Sequence, residues 1–237
     1  MLLNKISLFK NQRKWKKELI TSLNKIKKKG FYPKNILDIG AQYGQWTKLV
    51  RKYVYPDSYY QLIEPINYKE LDNLKKFNNI SCINILLGNK EEEVVWYEKR
   101  NGGDSIYKEN TEYYKSCKGI NKFTKKLDDI NLKETNFDLI KIDTQGSEID
   151  IIEGGLKLVS KAEFLLLEIP FFGAYNQGVP SFQVHIEKID NFGFIPYDIV
   201  SLQRITSDIL IQIDVLFVNK NSKFIKLGQQ EISNLGR

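Results

Sequence analysis

Beyond Pro33 the chain alternates short apolar runs rich in Ile, Leu and Val with stretches whose apolar residues recur at helical spacing. The pattern predicts strands over 35–39, 59–64, 80–86, 137–142, 163–169, 194–199 and 211–218, and helices over 10–29, 44–53, 67–76, 148–159 and 181–191. Alternation of this kind implies an α/β fold with parallel strands joined by right-handed helical crossovers. Only about ten residues separate the last two strands, too few for a crossover, so that pair is predicted to be antiparallel. The stretch 91–126 breaks the rhythm with a short strand at Val94–Glu98 and then a polar Gly-Gly-Asp-Ser-Ile-Tyr segment, which reads as an insertion covering the sheet edge. Three segments result: a basic helical segment 1–30, a main domain 31–220 carrying the insertion 91–126, and a polar tail 221–237.

Charge sharpens the first boundary. Residues 1–30 hold ten Lys or Arg against Glu18 alone, and the remaining 26 basic and 28 acidic residues leave the body nearly neutral. Trp15, Leu19, Leu23 and Ile26 recur along one helical face while Lys14, Lys16, Lys17 and Lys25 to Lys29 include most of the others. The stripe suits packing against the domain; the lysines also suit docking to an anionic membrane surface or an acidic glycolipid. No apolar run approaches the length of a membrane span, and the first residues lack the features of a secretory signal, so the expected location is cytoplasmic, with peripheral contact at the inner membrane surface through the basic helix. Cys82 and Cys117 with one histidine exclude a disulfide framework and a histidine-rich metal cluster.

Chemistry concentrates at predicted strand ends. After the first strand, Asp38-Ile39-Gly40-Ala41-Gln42-Tyr43-Gly44 allows a ligand to approach backbone at Gly40 and Gly44, with helix amides beyond. A dinucleotide fingerprint needs glycine at 42 and 45, where this chain has Gln, and no Gly-Lys-Ser or Gly-Lys-Thr Walker loop occurs. The second strand ends in Glu64-Pro65, where a carboxylate accepts both hydroxyl protons of a ribose. The third closes in Leu87-Gly88-Asn89, whose amide suits an adenine edge. Asp143-Thr-Gln-Gly-Ser-Glu-Ile-Asp150 follows the apolar run 137–142 and sets Asp143 at the carboxyl edge of the sheet. Asp38 as a turn cap and Glu64 as a solvated strand end are the purely structural alternatives.

These residues resemble the FkbM family of S-adenosylmethionine-dependent methyltransferases: Asp38-Ile-Gly-Ala-x-x-Gly, Glu64-Pro65, Leu127-Asp128-Asp129, Lys141-Ile-Asp143-Thr-Gln-Gly146-Ser-Glu148-Ile-Asp150 and Leu-Leu-Glu168, spread over 33–218. The resemblance implies a class I methyltransferase fold, a seven-stranded Rossmann-like sheet with its last strand antiparallel and flanking helices, and methyl transfer to a hydroxyl. It also implies that Asp38 and Gly40 to Gly44, with Ala41 and Gln42, serve the methionine portion of S-adenosylmethionine, Glu64 the ribose, Gly88 and Asn89 the adenine, and that Asp143 stands beside methyl and acceptor. Family members commonly carry Asn where this chain has Gln42.

An alcohol needs a base or a metal beside it. Candidates are Asp143, with Glu168 at the next strand end, then Glu148 and His185; Asp143 and Glu168 between them also suit one Mg²⁺. Glu148 equally suits the first turn of a helix, and His185 shares a helical face with Phe182, Ile186, Ile189 and Phe192, as a core histidine does. The loop Pro170 to Pro180, with Phe171 and Phe172, offers aromatic stacking for a sugar or plugs for the core; Gly102-Gly103-Asp104-Ser105 is a second acceptor loop. The expected function is O-methylation of a small-molecule or glycan acceptor. A nucleic-acid methyltransferase is disfavoured by the neutral body and by the absence of Asn-Pro-Pro-Tyr or Asp-Pro-Pro-Tyr; a non-catalytic nucleoside-binding module is the third reading.

Overall fold

A computed structural model describes residues 2–173, 175–205 and 208–236, with side chains from residue 13 onward; Ala174 of the loop after Glu168 lies outside the described residues. Ten strands and seven helices follow in order: α1 (Leu2–Lys28), β1 (Asn35–Ile39), α2 (Gln45–Tyr53), β2 (Tyr59–Ile63), α3 (Lys69–Leu74), β3 (Ile80–Ile83), β4 (Leu86–Leu87), β5 (Glu93–Tyr97), β6 (Gly119–Lys125), β7 (Leu139–Ile142), α4 (Glu148–Gly154), α5 (Leu156–Val159), β8 (Phe164–Pro170), α6 (Phe182–Asn191), β9 (Phe194–Arg204), β10 (Leu210–Asn219) and α7 (Lys223–Ser233).

The main sheet runs β3-β2-β1-β7-β8-β10-β9. Its pairs from β3 to β8 are parallel, while β10 is antiparallel to both β8 and β9. The seven-stranded sheet with an antiparallel last strand is therefore present, and that strand is inserted between its neighbours. Side-chain alternation divides the core into two layers. Ile36, Leu139, Phe164, Leu166, Leu216 and Val218 face one way and meet α1, α2 and α7; Leu37, Ile140, Leu165, Leu167, Val215 and Phe217 face the other and meet α4 to α6.

Leu19, Leu23 and Ile26 of α1 are fully buried in the first layer, and Ser22 and Lys25 both reach Asp198 of β9. The apolar stripe from Leu19 to Ile26 thus packs on the domain. Among the described residues no helix is long and apolar enough to cross a membrane.

Several boundaries shift for local reasons. The run 80–86 splits because Asn84 turns away and donates to the carbonyls of Glu64 and Ile66, sending β4 into a small sheet of order β4-β6-β5. The insertion thus carries β6 as well as the expected strand. The helix expected over 148–159 breaks at Gly155, whose α-carbon lies against Leu127, and Asp128 accepts the amides of Lys157 and Leu158 that start α5. The segment 221–237 is not merely a polar tail: Ser222 caps α7, and Phe224 is buried edge-on against Phe31 and Phe164.

Candidate active site

Register aligns a row of polar groups across the first layer. Asp38 pairs with Lys141 between β1 and β7, Glu168 with Asp214 between β8 and β10, and Asp214 with Ser201 between β10 and β9. Asp38, Lys141, Glu168 and Asp214 stand two residues from apolar members of that layer and so share its face, at the carboxyl end of the parallel strands, and Ser201 joins them through a register shift of β9 against β10. Lys141 Nζ is buried 3.2 Å from Asp38 Oδ1 and 3.4 Å from Asp143 Oδ2, and donates to Gly40 O at 2.9 Å. Burial alone would lower its pKa, but Asp38 and Asp143 outweigh that and raise it. Thr47 Oγ1 takes the other Asp38 oxygen at 2.7 Å. Asp38 is fully buried beneath the cleft and acts through Lys141 rather than lining the ligand space.

Above this row opens a cleft that holds, together with the solvent at its mouth, about 970 Å³ of empty space. Gly40, Ala41 and Gln42 form one wall, Glu64, Pro65 and Tyr68 a second, and Ile85, Leu86, Leu87 and Trp96 an apolar slot. Gly40 adopts φ 73°, and a Cβ there would stand 1.9 Å from Asp143 O, so the two strand ends touch only because this residue is glycine. Gly44, at φ 69°, leaves room for Leu74 and does not line the cleft. Gln42 and Gln145 both sit in the left-handed region, at φ 47° and 58°, which Asn tolerates better than Gln.

Glu64 is held by the amides of Gln42 and Ile66, one on each oxygen, at 2.9 and 3.0 Å. Burial pushes its carboxyl up to about 7 against the pull of these amides. The insertion closes the mouth: Gly102 and Asp104 line the cleft, and Tyr43 donates to Arg100 O. Ser105 donates to Gln145 O, tying the expected acceptor loop to the turn after β7. Gly88 and Asn89 are not brought to the cleft. Asn89 faces Asp150 and Glu153, Gly88 packs on Thr124, and the apolar 85–87 run stands in their place.

Asp143, partly exposed, lines both this cleft and an adjoining chamber that holds, open solvent included, about 640 Å³ of empty space. The chamber wall includes Glu168, Gln203 and Asp214 and is completed by Trp15 and Leu19 of α1. Gln145 Nε2 bridges Asp143 Oδ1 at 3.1 Å and Glu168 Oε1 at 2.6 Å, while Gln212 and Gln203 donate to the two Glu168 oxygens at 2.7 and 2.8 Å. Burial, reinforced by Asp143 and Asp214, raises the Glu168 pKa. Asp143 and Glu168 therefore converge, but through an amide. The Gln145 N–H group occupies the position between the two carboxylates where Mg²⁺ was expected, and Gln203 and Gln212 cover the Glu168 oxygens, so this pair does not fit the ion; among the described residues no three His, Cys, Asp or Glu side chains come together to hold a metal.

Glu148 is buried and accepts from the amides of Thr144 and Gly146 and the Thr144 hydroxyl, fixing the turn that carries Asp143. His185 is not brought to the site. It is fully buried on α6, Nδ1 lies 3.0 Å from Ser181 O, and burial lowers its pKa. Phe171 and Phe172 are exposed and line neither cavity, so they are neither core plugs nor walls of the site.

Lys141, Gln145, Gln203, Asp214, Trp15 and Trp46 were not singled out as site residues by sequence reasoning. Lys141 carried a signal, since a lysine inside the apolar run 137–142 must find carboxylates when buried.

No curated protein matches the chain significantly in sequence. Among solved structures, it resembles Burkholderia thailandensis 1,6-didemethyltoxoflavin-N1-methyltransferase, solved with 1,6-didemethyltoxoflavin and S-adenosylhomocysteine bound, at 12% identity over 92% of this chain and 86% of that one, TM-score 0.47. The N-methyltransferase NodS of Bradyrhizobium japonicum gives 13% over 86% and 96%, TM-score 0.47, and a SAM-dependent methyltransferase of Aquifex aeolicus 14% over 85% and 92%, TM-score 0.43. The methyltransferase FkbM domain matches residues 38–196, more than half of the chain and the whole span from Asp38 to Glu168, and the protein accordingly belongs to the FkbM methyltransferase family.

Proposed function

We propose that the protein transfers a methyl group from S-adenosylmethionine to a hydroxyl oxygen of a sugar or a similarly polyhydroxylated small molecule. The observation that carries this reading is the placement of Asp143 on the wall common to two cavities, one suited to a nucleoside and one to an acceptor. S-adenosylmethionine supplies a methyl carbon activated by its sulfonium sulfur. The chain's residues fit that group: Glu64 offers a carboxylate to the ribose hydroxyls, Leu86, Leu87 and Trp96 offer an apolar slot to adenine, and Gly40 to Gln42 offer a close backbone to the methionine end.

Alignment at near-attack distance then supplies much of the rate. Asp143 accepts the acceptor's hydroxyl proton, with one oxygen positioned by Lys141 and the other by Gln145. The deciding variant is Asp143→Asn. Turnover should fall by roughly 10²- to 10⁴-fold, the usual worth of a general base, while calorimetric affinity for S-adenosylhomocysteine stays near wild type. A variant that turns over normally would remove Asp143 from the role of base.

A further inference from the structure

The chamber beneath α1 has a chemistry of its own. Six of its lining residues, Leu19, Ile142, Leu166, Glu168, Gln203 and Asp214, do not line the nucleoside cleft, whereas Asp143, Lys141, Trp15 and Trp46 border both. The wall is rich in hydrogen-bond acceptors. Neither Glu168 nor Asp214 has a cation within ion-pair distance among the described residues, and Lys141 is already shared by Asp38 and Asp143. Trp15 Nε1 donates to Asp214 at 3.3 Å, as does the Ser201 hydroxyl, so the N-terminal helix is fastened to the wall it covers. Trp46 carries a buried indole N–H with no hydrogen-bond partner among the described residues, a donor that an occupant's oxygen can satisfy.

We propose that this chamber is the acceptor site, that α1 forms its roof through Trp15, and that its occupant is a neutral polyhydroxylated ring whose hydroxyls donate to Asp214 and Glu168 while its C–H faces lie against Trp15 and Trp46. This rests on the methyltransferase reading above, because it places the acceptor on the far side of Asp143 from the nucleoside. Among the described residues the one cation of the lining, Lys141, is already shared by Asp38 and Asp143, so a phosphorylated or uronic acceptor would find no free counter-charge beside the two carboxyl groups. A cationic ring is the competitor, since indole faces and carboxylates also attract ammonium groups.

The experiment uses the full chain saturated with S-adenosylhomocysteine and three probes: methyl glucopyranoside, methyl glucuronopyranoside and methyl glucosaminide. Binding is followed by ligand-observed NMR in wild type, Asp214→Asn, Gln203→Ala and Trp15→Ala. The neutral glycoside should bind wild type best, and Asp214→Asn should weaken it roughly tenfold, the worth of a charge-assisted hydrogen bond, with S-adenosylhomocysteine affinity changed by less than about twofold. Trp15→Ala and Gln203→Ala should weaken the glycoside in the same sense. If Trp15→Ala fails to fold, the isosteric Asp214→Asn decides alone. Wild-type glycoside affinity in both chamber-only variants, absence of glycoside binding, or stronger binding of the charged probes would overturn the proposal. Failure of wild type to bind S-adenosylhomocysteine would instead overturn the cofactor reading on which it stands.

Discussion

The two cavities that meet at Asp143 are assembled in opposite ways. The cleft proposed for the nucleoside is walled in large part by short contiguous pieces, 39–42, 63–65, 85–87 and 143–145, each at a strand end or the turn beyond it. The acceptor chamber gathers single residues from α1, α2, β7, β8, β9 and β10, with about two hundred positions between Trp15 and Asp214. Local turns place groups through their own backbone geometry and so tolerate little change in it. A chamber built from cross-strand neighbours is positioned by register, and single side chains there can change with the fold intact. Substitutions on the two sides should therefore fail differently: on the cleft side through the backbone, on the chamber side through binding.

The largest effect is expected at Gly40. Alanine there adds a methyl group 1.9 Å from Asp143 O in a backbone with φ 73°. Left-handed strain and overpacking together should cost about 3–5 kcal/mol of unfolding free energy, read as a shifted midpoint in urea at unchanged slope. An unshifted midpoint would mean that β1 and β7 do not meet as described, and the contrast between the two walls would lose its basis.

Next comes Glu148→Gln. The amide keeps one acceptor oxygen where the carboxylate serves Thr144 and Gly146 with two, leaving a buried donor short by about 1–3 kcal/mol. Burial pushes the Glu148 carboxyl up to about 7. Folded protein therefore holds a proton that unfolded chain has already lost between its ordinary range and about 7, and wild-type stability declines as pH rises through that window. The variant lacks this slope, so its deficit should narrow from pH 5 to pH 7.5 in parallel denaturation series. A deficit that stays constant across that range would show Glu148 to be ionised throughout.

Glu64→Gln tests the cleft by ligand rather than by fold. S-adenosylhomocysteine should bind about tenfold more weakly at pH 8, where the wild-type carboxylate is ionised and accepts ribose hydroxyls. Because the Glu64 carboxyl is pushed up to about 7, wild-type affinity should itself fall below that pH and level off about tenfold lower, near that of the Gln variant. The Gln variant should show a flat profile. Equal pH profiles by calorimetry would detach Glu64 from the ribose.

What was legible in the sequence follows the same division. The parallel strands and the antiparallel last pair are legible in periodicity and connection length, the seven-stranded sheet only through the family resemblance, and Asp38, Gly40, Glu64 and Asp143 stand in turns whose chemistry is written in adjacent residues. Asp214 and Gln203 were not legible as site residues. Their positions depend on the pairing of β10 with β8 and β9, and the second of these carries register shifts that no local pattern encodes. Leu127-Asp128-Asp129, noticed as a motif, caps α5 instead of touching the site, because a motif records constraint of either kind. Asn89 was misplaced for a related reason: the chain bends at Asn84, four residues after β3 begins, so the apolar 85–87 run reaches the cleft first.

His185 supplies the smallest prediction and the clearest control. It lines neither cavity, so His185→Gln should leave kcat/KM within about twofold, less than half a kcal/mol of transition-state stabilisation. Its effect belongs to stability and has the opposite sign to that of Glu148. The ring is buried with a lowered pKa and its Nε2 has no partner among the described residues, so as pH falls through its ordinary value the unfolded chain takes up a proton that the folded chain refuses. Wild type should lose stability over that acid limb, and the Gln variant should not. A loss of turnover with unchanged folding would instead put the imidazole into the chemistry, and it would do so across the sheet layer that now separates it from Asp143. That outcome would require α6 to move during the reaction, which makes this quiet variant a test of whether the site is confined to the polar row on the α1 face.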